Sequence, residues 1–188
     1  TLSPNQRFLY TATENALIQD GPSASLEEES PSRILRYDLS TGEAGKEFFY
    51  FTEPVPDTPI PADGFSTNGL VELLALDNTG SLLALERSFS AGVGNSIKLF
   101  EVGLQNTTDL QDFNAVADFE IDAVANKRLL LDFADLGITL DNVEGMAFGP
   151  TLANGQQSLV LVSDNNFNDT QFTQFLTLGL DLETIPAV

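Results

Sequence analysis

The sequence predicts an all-β fold assembled from repeated units of about four strands. Three observations predict it. Short apolar stretches are broken by Gly, Pro, Asn and Asp, which leaves little room for long amphipathic helices. The hexad Val71-Glu72-Leu73-Leu74-Ala75-Leu76 returns 72 residues later as Val143-Glu144-Gly145-Met146-Ala147-Phe148. An acid followed by a polar residue closes three of the apolar stretches, at Glu14-Asn15, Glu86-Arg87 and Asp164-Asn165. Self-similarity at a fixed period marks architectures in which each unit buries its face against the next.

The elements follow in order. Residues 7–13 read as a strand, and the acidic stretch 20–32, with Glu27-Glu28-Glu29, as a loop. Residues 33–39 form a strand stopped by Ser40-Thr41-Gly42, and the aromatic run 47–52 forms the next. Pro54, Pro56, Pro59 and Pro61 make 53–68 a loop, since proline removes a ladder donor. The pattern then restarts. Residues 70–76 and 81–86 are strands joined by the tight turn Asp77-Asn78-Thr79-Gly80. Strands at 96–102 and 127–133 follow the Gly-rich loop 90–95, and 109–122 fits neither strand nor helix clearly. Strands at 142–148, 157–163 and 173–180 repeat the order.

Four strands per unit is the content of a β-propeller blade. The approximate blades are 1–53, 68–134 and 142–182, about two and a half to three within one segment spanning 1–188. A closed propeller takes about 4–8 blades. The expectation is therefore part of a larger propeller, with the remaining half supplied by another chain or by further copies in a homo-oligomer.

Composition narrows the function. The chain carries 28 acids against 8 bases, a net charge of −20. That argues against nucleic acid and anionic membrane surfaces, which need clustered Lys and Arg. The absence of Cys and His excludes disulfides, thiolate or His-ligated zinc, and a Ser-His-Asp triad. Hydrolytic chemistry here must rest on carboxylates, metal-bound water, or Lys and Arg. No apolar stretch reaches the ~20 residues of a membrane-spanning helix.

Within this frame the recurring acids are the candidate ligands. If the hexads are innermost strands, Glu72 and Glu144 face the central channel, with Glu86 and Asp164 ending the next strand. Such carboxylates, with Asn side chains, suit Ca²⁺, which takes six to eight oxygen ligands. The same acids also fit the plainer role of satisfying backbone N–H groups at strand ends and turns. The run Asp164-Asn165-Asn166 is the densest oxygen-donor segment, and it equally fits an Asx-rich turn. Arg87, one of few bases, is placed either to hold an anionic substrate or to pair structurally with an acid.

The segments 70–76 and 83–89, the run Asp141-Asn142-Val143-Glu144-Gly145-Met146, and Leu161-Val162-Ser163-Asp164-Asn165-Asn166-Phe167 resemble the family of esterase-like activity of phytase. Gln174-Phe175-Leu176 continues the match. The resemblance implies a propeller related to calcium-dependent phytases, often exported, which places the chain outside the cell or in the periplasm. It implies a Ca²⁺-dependent phosphoester or ester hydrolase. Glu144, Asp164 and Arg87 are then expected in catalysis, and Arg87, Asn165 and Asn166 in substrate binding. The expected metal ligands are Glu72, Glu86, Glu144 and Asp164. Family members are generally longer, so part of the domain is expected elsewhere. The alternative is a non-catalytic Ca²⁺-binding propeller module for protein interaction or assembly.

Overall fold

The computed structural model describes residues 1–115 and 123–181. Its strands form three antiparallel meanders. Sheet A holds β1 (Phe8–Ala12), β2 (Ser30–Asp38) and β3 (Glu43–Thr52). Sheet B holds β4 (Ser66–Ala75), β5 (Ser81–Ser90), β6 (Gly94–Gly103) and β7 (Asn126–Asp132). Sheet C holds β8 (Val143–Thr151), β9 (Gln157–Ser163) and β10 (Phe175–Leu180). A 3-10 turn over Phe133–Leu136 interrupts the β structure after β7.

The expected strands are all present, and the main differences are in length. β5 runs on to Ser90 instead of stopping at Glu86, because Ser66 to Asn68 of β4 keep pairing with Ser88 to Ser90. Glu86 and Arg87 therefore lie within a strand rather than at its end. β3 starts at Glu43, since pairing with Asp38 resumes directly after the turn at Gly42. β2 starts at Ser30, inside the expected loop, because its ladder with β3 extends to Ser30↔Thr52. Residues 109–115 are irregular, and the rest of the ambiguous stretch, 116–122, lies outside the described residues, as does residue 182 of the last expected blade.

Sheet B is sandwiched between the other two, and strand alternation divides its side chains between two cores. On one face Leu82 and Ala84 of β5 and Phe100 and Val102 of β6 meet Tyr10, Ile34, Phe48 and Tyr50 of sheet A. On the other, Leu83, Leu85, Ile97 and Leu99 meet Val143, Met146, Leu159 and Leu161 of sheet C. This explains why Leu82 to Leu85 are apolar without interruption: all four are fully buried. Each fully buried Leu side chain contributes about 1.5–3 kcal/mol.

The segment after β6 crosses to sheet A. Leu110 N–H donates to Glu47 O at 2.8 Å and Ala125 N–H to Phe49 O at 3.1 Å, so the outer edge of β3 is covered.

The β4–β5 turn is held by one carboxylate. Asp77 Oδ1 accepts from the N–H groups of Thr79 (2.7 Å), Gly80 (2.9 Å) and Ser81 (3.0 Å), and Oδ2 accepts from both hydroxyls at 2.8 Å. Partial burial opposes ionisation, but these donors outweigh it and lower the Asp77 pKa to about 2. A depressed folded-state pKa gives stability that is complete above the unfolded value near 3.8 and lost as pH falls through about 2. Asp77→Ala is expected to cost about 1–2 kcal/mol at pH 7 in urea titrations, with the difference from the parent shrinking towards pH 2.

Candidate functional site

Strand alternation sends Glu86 and Arg87 to opposite faces of sheet B. Glu86 turns towards sheet A, where it is 1% exposed. Its carboxylate accepts from Tyr50 Oη (2.6 Å), Glu53 N (2.8 Å), Asn68 Nδ2 (2.8 Å) and Lys127 Nζ (2.9 Å). Arg87 turns towards sheet C. There Nη2 donates to Glu144 Oε1 at 2.8 Å and, more weakly, to Glu14 Oε1 at 3.4 Å. Its Nε is buried and makes no hydrogen bond.

Glu144 reaches Arg87 because of a register irregularity in β8. The ladder with β9 shifts between Val143 and Gly145, which makes Glu144 the unmatched residue. Such bulges re-aim a side chain. In β4 the irregularity lies between Leu70 and Glu72, one hexad position earlier, so Val71 is unmatched and Glu72 pairs with Leu85. The Glu72 carboxylate accepts from Leu73 N at 2.9 Å and lines a separate cleft beside Tyr10 and Thr11.

Arg87 and Glu144 open onto a cleft of about 820 Å³ between the ends of sheets B and C. One wall comes from Phe89, Val93 and Asn95, around a turn in which Gly92 and Gly94 take φ values of 74° and 119°. Another is Ile138 to Asn142, leading into β8, and the third is the β9–β10 connection, including Asn166, Gln171 and Phe172.

That connection is a set of Asx turns. Asp164 Oδ1 accepts from Asn166 N (2.9 Å), Asn165 Oδ1 from Phe167 N (3.1 Å) and Asn168 Oδ1 from Thr170 N (3.0 Å). Asn168 N–H closes on Asn165 O at 2.8 Å, with Asn166 and Phe167 both at positive φ, 50° and 51°. Asp141 fastens the loop to the start of β8. Its buried carboxylate accepts from Asn142 N (2.7 Å), Gln171 Nε2 (2.9 Å) and Phe172 N (2.7 Å). Burial disfavours its charge, yet these three donors prevail and hold its pKa below the ordinary aspartate value.

Of the residues expected in the site, Arg87, Glu144 and Asn166 share this cleft. Asp164 is exposed and, with Asn165, serves the turn rather than lining the cleft. Glu86 and Glu72 lie elsewhere, as given above.

A model of the phytase-like family, described as esterase-like activity of phytase, matches residues 1–167. The chain belongs to the phytase-like family. No curated protein and no solved structure matches it.

Calcium is the ion that membership brings to mind, and the donors can be tested against it. Ca²⁺ needs six to eight oxygens around one point. In this phytase-like chain Glu72, Glu86, Glu144 and Asp164 do not converge. Glu86 is saturated by four donors, Glu144 is ion-paired and Asp164 caps a turn. Among the described residues no three acids are grouped as metal ligands would be. These four acids therefore do not form one calcium site, and no catalytic step is derived through the ion.

Sequence reasoning missed Asp141, Asn142 and Gln171 as site residues. The available signal was position: Asp141-Asn142 directly precedes the second hexad, and Gln171-Phe172 directly follows the Asx-rich run.

Proposed function

We propose that this phytase-like chain carries the substrate cleft of an ester or phosphoester hydrolase, centred on Arg87 and Glu144. One observation carries the reading: in a member of this family, a guanidinium with a free buried Nε and a carboxylate 2.8 Å away meet at the mouth of a large cleft. Arg87 donates to the ester oxygen on which charge develops. Glu144 takes the proton of the attacking water. Asp141 acts indirectly, by holding the loop that closes the cleft.

In this reading sheets A, B and C are three blades of a propeller, and the two hexads occupy matching inner strands. The face-to-face stacking of the sheets through two separate cores supports it.

Release of p-nitrophenol from its acetate and phosphate esters tests the assignment. Glu144→Gln is expected to lower kcat about 10²–10³-fold and Arg87→Met to raise KM while lowering kcat. Equal rates in both variants and the parent, or no hydrolysis by the intact protein, would overturn it. Running the assay with Ca²⁺ and with a chelator separates metal-assisted from carboxylate-only hydrolysis.

A second reading, a non-catalytic propeller module for assembly, is favoured by the outer face of sheet C. Phe175 is 72% exposed there, beside Val162 with which it pairs across the ladder. Light scattering that finds a stable monomer, unchanged by Phe175→Ser, counts against this reading.

A further inference from the structure

We infer that the cleft between sheets B and C is built for a polyhydroxylated, sugar-like ligand carrying at most one phosphate group, not for a polyanion. The inference rests on the reading of this cleft as the ester site and specifies what it binds. Charge is the first argument. Arg87 is the one basic side chain among the residues lining the cleft, and two carboxylates, Glu144 and Glu14, already flank it. Asp141 adds a third carboxylate at the cleft wall, in a chain of net charge −20. A ligand with several phosphates meets one shared cation and a repulsive field.

Hydrogen-bonding capacity is the second and independent argument. Asn142 lines the cleft, is only 5% exposed, and its side-chain amide makes no hydrogen bond. Asn95, across the cleft on β6, is only partly buried, and its amide has no protein partner. Arg87 Nε is the third unsatisfied group. Of the three, Arg87 Nε is a buried atom left unpaired, which is rare in folded proteins, and the two amides open into the cleft, where they are free to bond a ligand. An amide offers both a carbonyl acceptor and an NH₂ donor. A hydroxyl satisfies both at once, whereas an ionised phosphate oxygen only accepts and leaves each amide carbonyl bare. Phe89 and Phe172 add apolar surface of the kind on which the C–H face of a sugar ring rests.

The test is a set of titrations of the intact chain, in calcium-free buffer, with glucose, glucose 6-phosphate and inositol hexakisphosphate, followed by calorimetry or amide chemical shifts. Glucose and glucose 6-phosphate are expected to bind, and the glucose Kd to change less than twofold between 50 and about 500 mM salt, since no counterions are released. The hexakisphosphate is expected to bind at least about tenfold more weakly than the monophosphate. Asn142→Ala is expected to weaken glucose about tenfold, and Asn95→Ala, at a less buried site, about threefold to tenfold. Failure of both sugars to bind, or tighter binding of the hexakisphosphate than of the monophosphate, would overturn the inference. If p-nitrophenyl esters are still cleaved in a Glu144-dependent way in that case, the catalytic reading survives and only the ligand class falls. Sugar binding without ester cleavage supports the ligand class and removes the catalytic reading.

Discussion

Glu86→Ala is expected to destabilise the chain by about 3–5 kcal/mol, read as a shift of the urea midpoint at unchanged slope. The carboxylate ties the two sheets together. Tyr50 belongs to β3, Asn68 to β4 and Lys127 to β7, and all three donate to it. The Tyr50 hydroxyl is itself buried, and burial, followed by the Glu86 charge, raises its pKa well above the ordinary value. Removing the acceptor strands buried donors that water cannot reach, which is the expensive case. Lys127 keeps Glu53 at 2.8 Å and the Phe51 carbonyl at 2.8 Å, so the loss is not larger still. Glu86→Gln retains part of the network and is expected to cost about 1–2 kcal/mol. A loss below about 1 kcal/mol for the alanine variant would contradict the structural role and reopen Glu86 as a ligand.

The second large effect concerns Asp20 and Arg33. Asp20→Ala is expected to cost about 3–5 kcal/mol, because it leaves a guanidinium buried without its main counter-charge. Arg33 is 5% exposed and donates through Nε to Asp20 Oδ2 at 2.6 Å and through Nη2 to Oδ1 at 2.7 Å. It also reaches the carbonyls of Phe113 (3.1 Å) and Asn114 (3.2 Å), which anchors two long loops to sheet A. The hydrogen bonds that Arg33 donates to Asp20, opposed by burial, raise the Arg33 pKa, so the guanidinium stays charged throughout the working pH range. The double variant Asp20→Leu with Arg33→Met is expected to lose less than Asp20→Ala alone, since a matched apolar pair leaves no stranded charge. Additive losses in a double-mutant cycle would contradict the pairing.

Most of the secondary structure was legible because it is a local matter. Alternating or continuous apolar runs bounded by turn residues mark each strand regardless of its neighbours. The strand ends were less legible. β5 continues through Arg87, Ser88 and Ser90 because β4 and β6 supply partners on both sides, and no local property of those polar residues announces that. The opposite orientation of Glu86 and Arg87 was legible in principle, since adjacent strand residues cannot share a face. Reading the two as a terminal pair hid it.

The site shows the same division. The importance of Arg87, Glu144 and Asn166 came from motif and scarcity, and the fold places them in one cleft. Asp141 and Asn142 stood in the motif run ahead of Glu144, but nothing in their local sequence marked them as lining a cleft. The burial that gives Asp141 three N–H donors, and leaves the Asn142 amide unpartnered, comes from the β9–β10 loop folding back over them.

By itself, the sequence determined an all-β chain, the place of its strands and its phytase-like family, because strand formation and motifs are carried by neighbouring residues. Only the tertiary structure decided which acids meet. The Arg87–Glu144 contact spans 57 residues and two sheets, and it depends on a bulge that no local pattern specifies. The same packing carried Glu86 into the core between sheets A and B, and kept Glu72 and Asp164 apart from it. Spacing along the chain can suggest a ligand set, but convergence in space is settled by register and by which face of a strand each side chain occupies.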